Sequence, residues 1–264
     1  MRSVWKGHIR FSLVTIPIQI FNAIESKSNI SFKQIHVEDN GPVGYKKYCK
    51  SCDTTLSKDD IVKGYEYQPD QFVIISSDEL KNIKLKSTRA IDIEAFVDID
   101  EVSPSRYEAV YYIGPQGDIA KSTFGLFCQT LKQSKKAGIG RIILRDREDM
   151  VLLTVPPDKP GLIMYKLRYD HEIREIERVP DIEDIENPDE AQLKLAMQLV
   201  DSLSKKFDEL KFEDRYKAAL QELVDQKVEG KEIISLDEEI EDKPVVDIMS
   251  ALKKSIDEAK KKSA

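Results

Sequence analysis

Alternating apolar and polar residues predict β-strands over much of the first two thirds of the chain. The clearest case runs from Ile91 to Ile99, where aliphatic residues alternate with acidic residues and Phe96, the pattern of a half-buried strand. Similar patterns occur at 107–113, 139–147, 149–155 and 161–169. Turns that contain glycine or proline separate these segments, and many short strands of this kind are typical of a β-barrel or a β-sandwich.

The N-terminal strand pattern changes phase once. Apolar residues alternate up to Leu13 and again from Val14, so the pattern slips by one position between them. Such a slip would turn every later side chain to the other face of a sheet, and it predicts a bulge or a bend. Pro17 falls on the polar side of the second run, which favours an edge strand because proline cannot donate a ladder hydrogen bond.

A helix with one apolar face interrupts the predicted strands. Its apolar residues follow helical spacing from Phe124 to Leu131. Gly138 is expected to end this helix, because glycine readily adopts the left-handed conformation that stops a helix. Ser76 and Glu79 have the spacing of a capping box, which predicts that a shorter helix begins at Ser76.

The pattern changes from strands to helices after Pro188. Two apolar stripes follow at helical spacing: Leu193, Met197, Val200, Leu203 and Phe207, then Tyr216, Leu220, Leu223 and Val228. An acidic linker is predicted over 229–244, and a short amphipathic helix from Val245 to Ala259. The expected domains are a core over 1–188, a helical arm over 189–230, and a linker with a short tail over 231–264.

Composition argues against a membrane protein and against a disulfide-rich secreted protein. The chain has 264 residues, of which 41% are hydrophobic and 34% charged. No apolar run approaches the roughly 18 residues that a membrane span needs. The first residues show no signal-peptide pattern, and three cysteines are too few for a disulfide framework. We therefore expect a cytoplasmic protein without membrane contact.

Positive charge is concentrated in two stretches, although the net charge of the chain is −7. Residues 1–50 contain eight Lys or Arg and three acids, and residues 121–147 contain seven Lys or Arg and one acid. A local field matters more to a polyanion than the total charge does. The acidic total therefore does not exclude a nucleic-acid partner.

The basic residues of these stretches are candidate contacts to a phosphate backbone. They are Lys46, Lys47, Lys50, Lys132, Lys135, Lys136, Arg141, Arg145 and Arg147. The three arginines share parity on one predicted strand, along which 141–147 would span roughly 20 Å. The alternative is an ordinary solvated barrel face. No RNP1, helix-turn-helix or zinc-finger signature is present, so base-specific readout is not supported.

Cys49 and Cys52 have the one spacing in the chain that is typical of metal sites. Two thiolates at this spacing can share a tetrahedral Zn²⁺ ion, but a full site needs four ligands and no second such pair follows. His36 could act as a third ligand, or a second chain could supply two more thiolates. The alternative is a pair of free thiols in a basic loop, and in that case no cofactor is required.

Signatures of catalysis are missing from the sequence. We find no phosphate-binding loop, nucleophile elbow, metalloprotease helix or dinucleotide-binding glycine motif. An enzyme is therefore not expected. Three classes stay open at this point: a nucleic-acid-binding protein without metal, a zinc-containing nucleic-acid module, and a nuclease with an unrecognised carboxylate site.

The order of several motifs resembles bacterial Ku proteins over nearly the whole chain. The first motif is W-x-G-x-I-x-F-x-L-V-x-I-P-I-x-I-F, from Trp5 to Phe21. It is followed by the stretch from Phe32 through His36, by Asp39-Asn40-Gly41, by Tyr45-Lys46-x-x-Cys49, by Lys63-Gly64-Tyr65-Glu66, and by Leu193 to Asp201 before Phe207.

The resemblance implies an α+β fold and a non-catalytic role in DNA repair. Ku proteins bind the ends of double-stranded DNA in non-homologous end joining, and bacterial members are homodimers. Each subunit would contribute a β-barrel core, a bridging loop region and a helical C-terminal arm that embraces the partner. The two subunits would form a ring that threads onto the DNA end. The tail would recruit and stimulate the multidomain ATP-dependent repair DNA ligase.

The resemblance and the charge pattern together assign expected roles to residues. The lysines from Lys46 to Lys50 are expected on the bridge, and the basic residues from Lys132 to Arg147 near the DNA-facing side of the barrel. The expected ligase contacts are Met249, Leu252 and Ile256. A protein of this kind would act at DNA breaks in the bacterial nucleoid.

Overall fold

The computed structural model describes residues 1–25, 30–76, 78–80, 89–144 and 147–230. The chain divides into two compact units, Met1–Arg174 and Glu175–Ala264, and each unit is described by itself. Among the described residues, no helix has both the length and the apolar character that crossing a membrane requires.

The first unit contains a closed barrel of seven strands and a separate two-stranded hairpin. The strands are β1 (Trp5–Phe11), β2 (Val14–Asn22), β3 (Lys63–Gln68), β4 (Gln71–Ile75), β5 (Ala90–Asp98), β6 (Tyr107–Pro115), β7 (Lys136–Leu144), β8 (Arg147–Thr154) and β9 (Leu162–Leu167). Around the barrel the order is β1-β2-β6-β9-β8-β7-β5, and β5 closes onto β1 in a parallel pair. β3 and β4 form the hairpin outside the barrel.

Alternation along the strands explains why the barrel closes around an apolar core. Ile16, Ile18 and Ile20 of β2 are fully buried, whereas the residues between them are partly exposed. Val151 and Leu153 of β8 belong to the same core cluster. Each such side chain contributes about 1.5–3 kcal/mol when it leaves water. The structure therefore confirms the predicted β-barrel.

One helix, α1 (Asp118–Ser134), packs against this core. Phe124, Phe127 and Leu131 are buried in the core cluster, as the helical spacing predicted. The single apolar side of α1 thus covers the barrel while its other side chains face solvent.

The predicted helix stop at Gly138 is wrong. The helix ends at Ser134, and Lys135 adopts the left-handed conformation with φ of 55°. Gly138 lies instead inside β7, opposite Phe96 of β5. Lys135 therefore ends the helix in place of a glycine, and the chain continues directly into β7, which begins at Lys136.

The phase change near Leu13 is a complete chain reversal and not the expected bulge. Phe11 pairs with Val14, and Ser12 and Leu13 form a two-residue turn in which Ser12 has φ of 50°. The residues before and after such a turn share a face of the sheet. A two-residue hairpin turn therefore shifts the alternation of apolar residues by one position, as a bulge would.

Pro17 lies in a strand with neighbours on both sides, so the edge-strand prediction is wrong. β2 pairs with β1 and with β6. The β2–β6 ladder begins only at Ile18, and the carbonyl of Pro17 accepts a hydrogen bond from the N–H of Gln116 at 3.0 Å, just beyond the end of β6. The missing N–H of Pro17 therefore falls where no ladder partner is needed.

The predicted strand 139–147 is two strands in the structure. β7 ends at Leu144 and β8 begins at Arg147, which pairs with Leu144 across the hairpin. Arg141 and Arg147 consequently lie on neighbouring antiparallel strands, so the expectation of one continuous row of arginines is wrong. Arg145 lies outside the described residues.

The second unit contains helices α2 (Glu190–Leu203) and α3 (Arg215–Val228). Both helices lie where the apolar stripes predicted them, except that α2 ends at Leu203 and Phe207 lies in a separate 3₁₀ turn. The N-cap of α3 is Asp214, whose carboxylate accepts a hydrogen bond from the N–H of Lys217 at 2.9 Å. The predicted tail helix lies outside the described residues.

The capping box at Ser76 is also present. The N–H of Ser76 donates to the carboxylate of Glu79 at 2.8 Å, and the N–H of Glu79 donates to the hydroxyl of Ser76 at 3.1 Å. These reciprocal bonds satisfy two N–H groups at a helix start. The residues that follow, 81–88, lie outside the described part of the chain.

Candidate nucleic-acid interface

A run of exposed basic and aromatic side chains precedes the β3–β4 hairpin. Lys46, Lys47 and Lys50 are exposed, and so are Tyr45 and Tyr48. No acid occurs between positions 40 and 52. Within the described part of the chain, none of the three lysines forms an ion pair. Their positive charge is therefore available to an external anion.

Two short loops position this run. Loop A (34–43) and loop B (47–56) are each closed by backbone hydrogen bonds of between 2.8 and 3.1 Å. The hydroxyl of Tyr45, between the loops, donates to the side-chain oxygen of Gln34 in loop A. Lys50 lies in the turn of loop B. The backbone hydrogen bonds hold the loops in place, while the ammonium groups of the lysines are exposed to solvent.

Cys49 and Cys52 are free thiols in loop B. Hydrogen bonds with Thr54 hold the pKa of the Cys52 thiol below its usual value. Within the described ranges, no group of three or more His, Cys, Asp or Glu side chains is placed to hold a metal ion. His36, the suggested third ligand, contacts Asp39 at 2.9 Å instead. A zinc site at Cys49 and Cys52 thus has no support from the described residues.

The arginines on the outer wall of the barrel are paired with acids. Arg141 lies 2.8 Å from Glu94 and 3.1 Å from Glu148. The hydrogen bond with Glu148 and the charge of Glu94 raise the pKa of this guanidinium. Arg147 lies 3.5 Å from Glu172. Neighbouring carboxylates therefore offset most of the positive charge that the sequence concentrates here.

The three lysines near the end of α1 differ in their surroundings. Lys136 forms an ion pair with Asp98 at 2.8 Å. The ammonium group of Lys132 donates to the carbonyl of Pro157 at 2.8 Å. Lys135, the C-cap of α1, is exposed and has no such bond to a described neighbour. The sequence thus brings these lysines together, but their charges are not equally available.

Sequence reasoning missed the exposed aromatic side chains of the β3–β4 hairpin, where Tyr65 lies on one face and Phe72, opposite Glu66, on the other. Tyr65, Tyr67 and Phe72 are each more than half exposed. A two-stranded hairpin is at most marginally stable alone, so these side chains are candidates for contact with a partner or with DNA. The alternation Tyr65-Glu66-Tyr67 was the signal that could have identified this strand.

An apolar stripe on α2 is exposed to solvent. Leu193, Met197 and Val200 are between 49% and 64% exposed, whereas Leu195 and Leu199 on the other side of the helix are half-buried. Large apolar side chains that recur at helical spacing on a surface mark an interaction site. The stripe therefore supports the expectation of contact with a second subunit, which stays a prediction.

The expected ligase contacts lie outside the described residues. They are Met249, Leu252 and Ile256. Their assignment continues to rest on the amphipathic pattern of the sequence.

Comparison with known proteins finds relatives along the whole chain. A family model described as the Ku70/Ku80 beta-barrel domain matches residues 10–195. The "Non-homologous end joining protein Ku" of Bacillus subtilis (strain 168) is 35% identical over 99% of this chain and 83% of its own length. Proteins with the same name from Heliobacterium modesticaldum and Archaeoglobus fulgidus are each 34% identical over 98% of this chain, and cover 93% and 100% of their own lengths.

Proposed function

This chain belongs to the Ku family, and from that premise we propose that it binds the ends of double-stranded DNA in non-homologous end joining. The observation that carries the proposal is the match of nearly the whole chain to proteins named for that process. The exposed, acid-free run of lysines in the loops supports it, because such a run can neutralise backbone phosphates.

Contacts of this kind hold DNA without reading its sequence. Phosphate contacts fix the position of a protein on the duplex but carry no base information. A lysine ammonium group acts as a mobile point charge, which tolerates small differences in backbone geometry. Recognition of an end would then come from the way that the duplex enters the protein.

Lys46, Lys47 and Lys50 have the strongest support as phosphate contacts. Their ammonium groups are exposed and unpaired within the described residues. Arg141, in contrast, would have to leave two carboxylates before it could bind a phosphate. The secondary candidates are Lys132, Lys135, Lys136, Arg145 and Arg147. Among those that the structure describes, Lys135 is the most available.

Affinity should depend strongly on salt and little on base order. We expect two blunt duplexes of equal length and unrelated sequence to bind with the same affinity. If 6–10 phosphates are neutralised, affinity should fall by roughly 10³–10⁵ between 50 and 200 mM salt. Fluorescence anisotropy of labelled duplexes measures both quantities. A strong preference for one sequence, or a flat salt dependence, would contradict the proposal.

We infer that the binding form is a homodimeric ring. The exposed apolar stripe of α2 supports a second subunit, since it offers a helix face that another chain can cover. A closed ring also explains how an acidic protein can bind DNA, because the local field on the inner surface determines the contact. Specificity for ends would follow from threading alone.

The proposed role is that of a scaffold that catalyses no reaction itself. In this proposal a DNA end held in the ring is presented to the repair DNA ligase, which the C-terminal tail recruits and stimulates. Met249, Leu252 and Ile256 would form the apolar contact to the ligase. Their spacing of three and four residues supports a helix with one apolar side.

Removal of the residues after Pro244 should separate DNA binding from stimulation of the ligase. We expect the truncated protein to bind linear duplex with unchanged affinity and to lose stimulation of ligation by the cognate ATP-dependent ligase. The double variant Met249→Glu with Leu252→Glu should behave in the same way, because charge on the apolar side removes the contact. Quantitative ligation of blunt-ended DNA gives the readout.

The matched control replaces two lysines on the same segment, Lys253→Ser with Lys254→Ser. This variant should retain stimulation, because the apolar residues are unchanged. Full ligase stimulation by the truncated protein would show that the contact lies elsewhere in the chain.

A further inference from the structure

A groove lies along one side of α1, apart from the candidate lysine loops. It has a volume of about 680 Å³ and runs between the helix and the segment that joins β8 to β9. Phe124, Val155 and Pro160 contribute to its apolar lining. Concave, largely apolar sites of this size are typical of ligand and peptide binding.

Gly125 of α1 lines the groove. A Cβ atom added there would meet no other atom within 4 Å, so packing does not require glycine. The residue lies inside a regular helix, where glycine is less favourable than alanine. The chain therefore carries glycine, which is unfavourable in a helix, at a position of α1 that lines the groove.

The rim of the groove is basic. Its lining includes Lys121, Lys132 and Lys159, with Asp158 as the one acid. Lys121 also contacts Asp118 at 2.6 Å, but both side chains are largely exposed, and exposed pairs of this kind exchange partners at little cost. The rim is thus complementary to carboxylates.

The floor of the groove excludes a simple phosphate-binding role. Cys128 lies at the floor, where its thiol donates to the carbonyl of Gly161 at 3.7 Å. Burial raises the pKa of this thiol, so the floor stays uncharged. A duplex carries its phosphates on a convex surface and cannot place apolar groups against Phe124, whereas a peptide side chain can.

We propose that the α1 groove binds an acidic peptide segment of a partner protein, with aliphatic side chains on its floor and carboxylates paired with the lysines of its rim. The apolar lining provides affinity, and Lys121 and Lys159, which are not among the candidate DNA contacts, select for acidic sequences. The groove is thus an interaction site in addition to the DNA contacts and the C-terminal tail.

The probe that tests this proposal is a fluorescein-labelled peptide of sequence ELDELLEDL, measured by anisotropy with the full chain. Two control peptides carry Gln and Asn in place of the acids, or Ser in place of the leucines. We expect the acidic, leucine-containing peptide to bind at least tenfold more tightly than either control.

Gly125→Met tests the location of the site. Methionine favours helix more than glycine does, and its Cβ would start in open space at a position that lines the groove. We expect the Kd of the peptide to rise at least tenfold, while binding of a short blunt duplex stays unchanged. The matched control, Gln133→Met, adds the same side chain to an exposed position of α1 outside the groove and should change neither affinity.

The double charge reversal Lys121→Glu with Lys159→Glu tests the rim. This variant should raise the Kd of the acidic peptide at least tenfold and leave duplex binding unchanged. Three results would overturn the proposal: no peptide binding up to about 1 mM, equal binding by Gly125→Met and the unmodified chain, or loss of duplex binding on rim reversal, which would assign these lysines to nucleic acid.

Discussion

The triple charge reversal Lys46→Glu, Lys47→Glu and Lys50→Glu should abolish DNA binding at moderate salt. Each phosphate contact contributes about 0.9 to the slope of log affinity against log salt. The loss of three contacts per chain should therefore lower the DNA affinity by roughly 500-fold at about 100 mM salt. Repulsion between the new carboxylates and the phosphates would lower it further. The salt slope itself should fall by about 3 per chain.

Fold stability should not change, because all three lysines are exposed and outside ion pairs of the described residues. Thermal unfolding followed by circular dichroism checks this. The control Lys205→Glu, Lys206→Glu and Lys211→Glu introduces the same change of total charge in the second unit, at exposed positions. We expect the control to keep most of its affinity. Equal loss in both variants would show that total charge, and not Lys46, Lys47 and Lys50, determines binding.

Two charges on the exposed side of α2 should dissociate the proposed dimer. In Met197→Glu with Val200→Glu, two large apolar side chains per subunit become charged. If each side chain contributes about 1.5–3 kcal/mol when it is buried in the interface, the four side chains of a dimer account for roughly 6–12 kcal/mol. The dissociation constant should then rise by a factor of about 10⁴ or more.

Sedimentation velocity at micromolar concentration measures this change directly, with a dimer expected for the unmodified chain and a monomer for the variant. The control Gln198→Glu with Ser202→Glu adds the same charge to the other side of the helix and should leave the dimer intact. DNA binding should be lost together with the dimer, since a single subunit cannot close a ring. A monomeric variant with full affinity for ends would contradict the ring.

Periodicity in the sequence predicted most strands and helices but left a barrel and a sandwich open, and the resemblance to Ku proteins decided for the barrel. The isoleucines of β2, the apolar side of α1 and the capping box at Ser76 all follow from local pattern, and the structure confirms them. The two errors near the N-terminus have one cause. Whether Ser12 and Leu13 form a turn, and whether Pro17 needs a ladder partner, depends on strand pairings that local pattern does not contain.

In the candidate site, too, some features follow from the local sequence and others depend on how the strands pair. Lys46, Lys47 and Lys50 lie close together in a stretch without acids, so the sequence alone marked them as candidates. The sequence did not reveal that carboxylates neutralise Arg141, because Glu94 and Glu148 lie on two other strands. The α1 groove was equally hidden, since Lys121 and Lys159 are far apart in sequence and line the same groove only in the folded barrel.

Binding to linear and to covalently closed circular DNA of one sequence distinguishes a threading ring from an open basic surface. In a gel-shift series at fixed salt, a threading ring should shift the linear form and leave the circle unshifted at the same protein concentrations. Longer linear fragments should accept additional protein, and protein that is bound before the ends are ligated should stay trapped on the resulting circle. Equal shifts of the linear and circular forms would contradict the account, because they would mean an open basic surface with no requirement for an end.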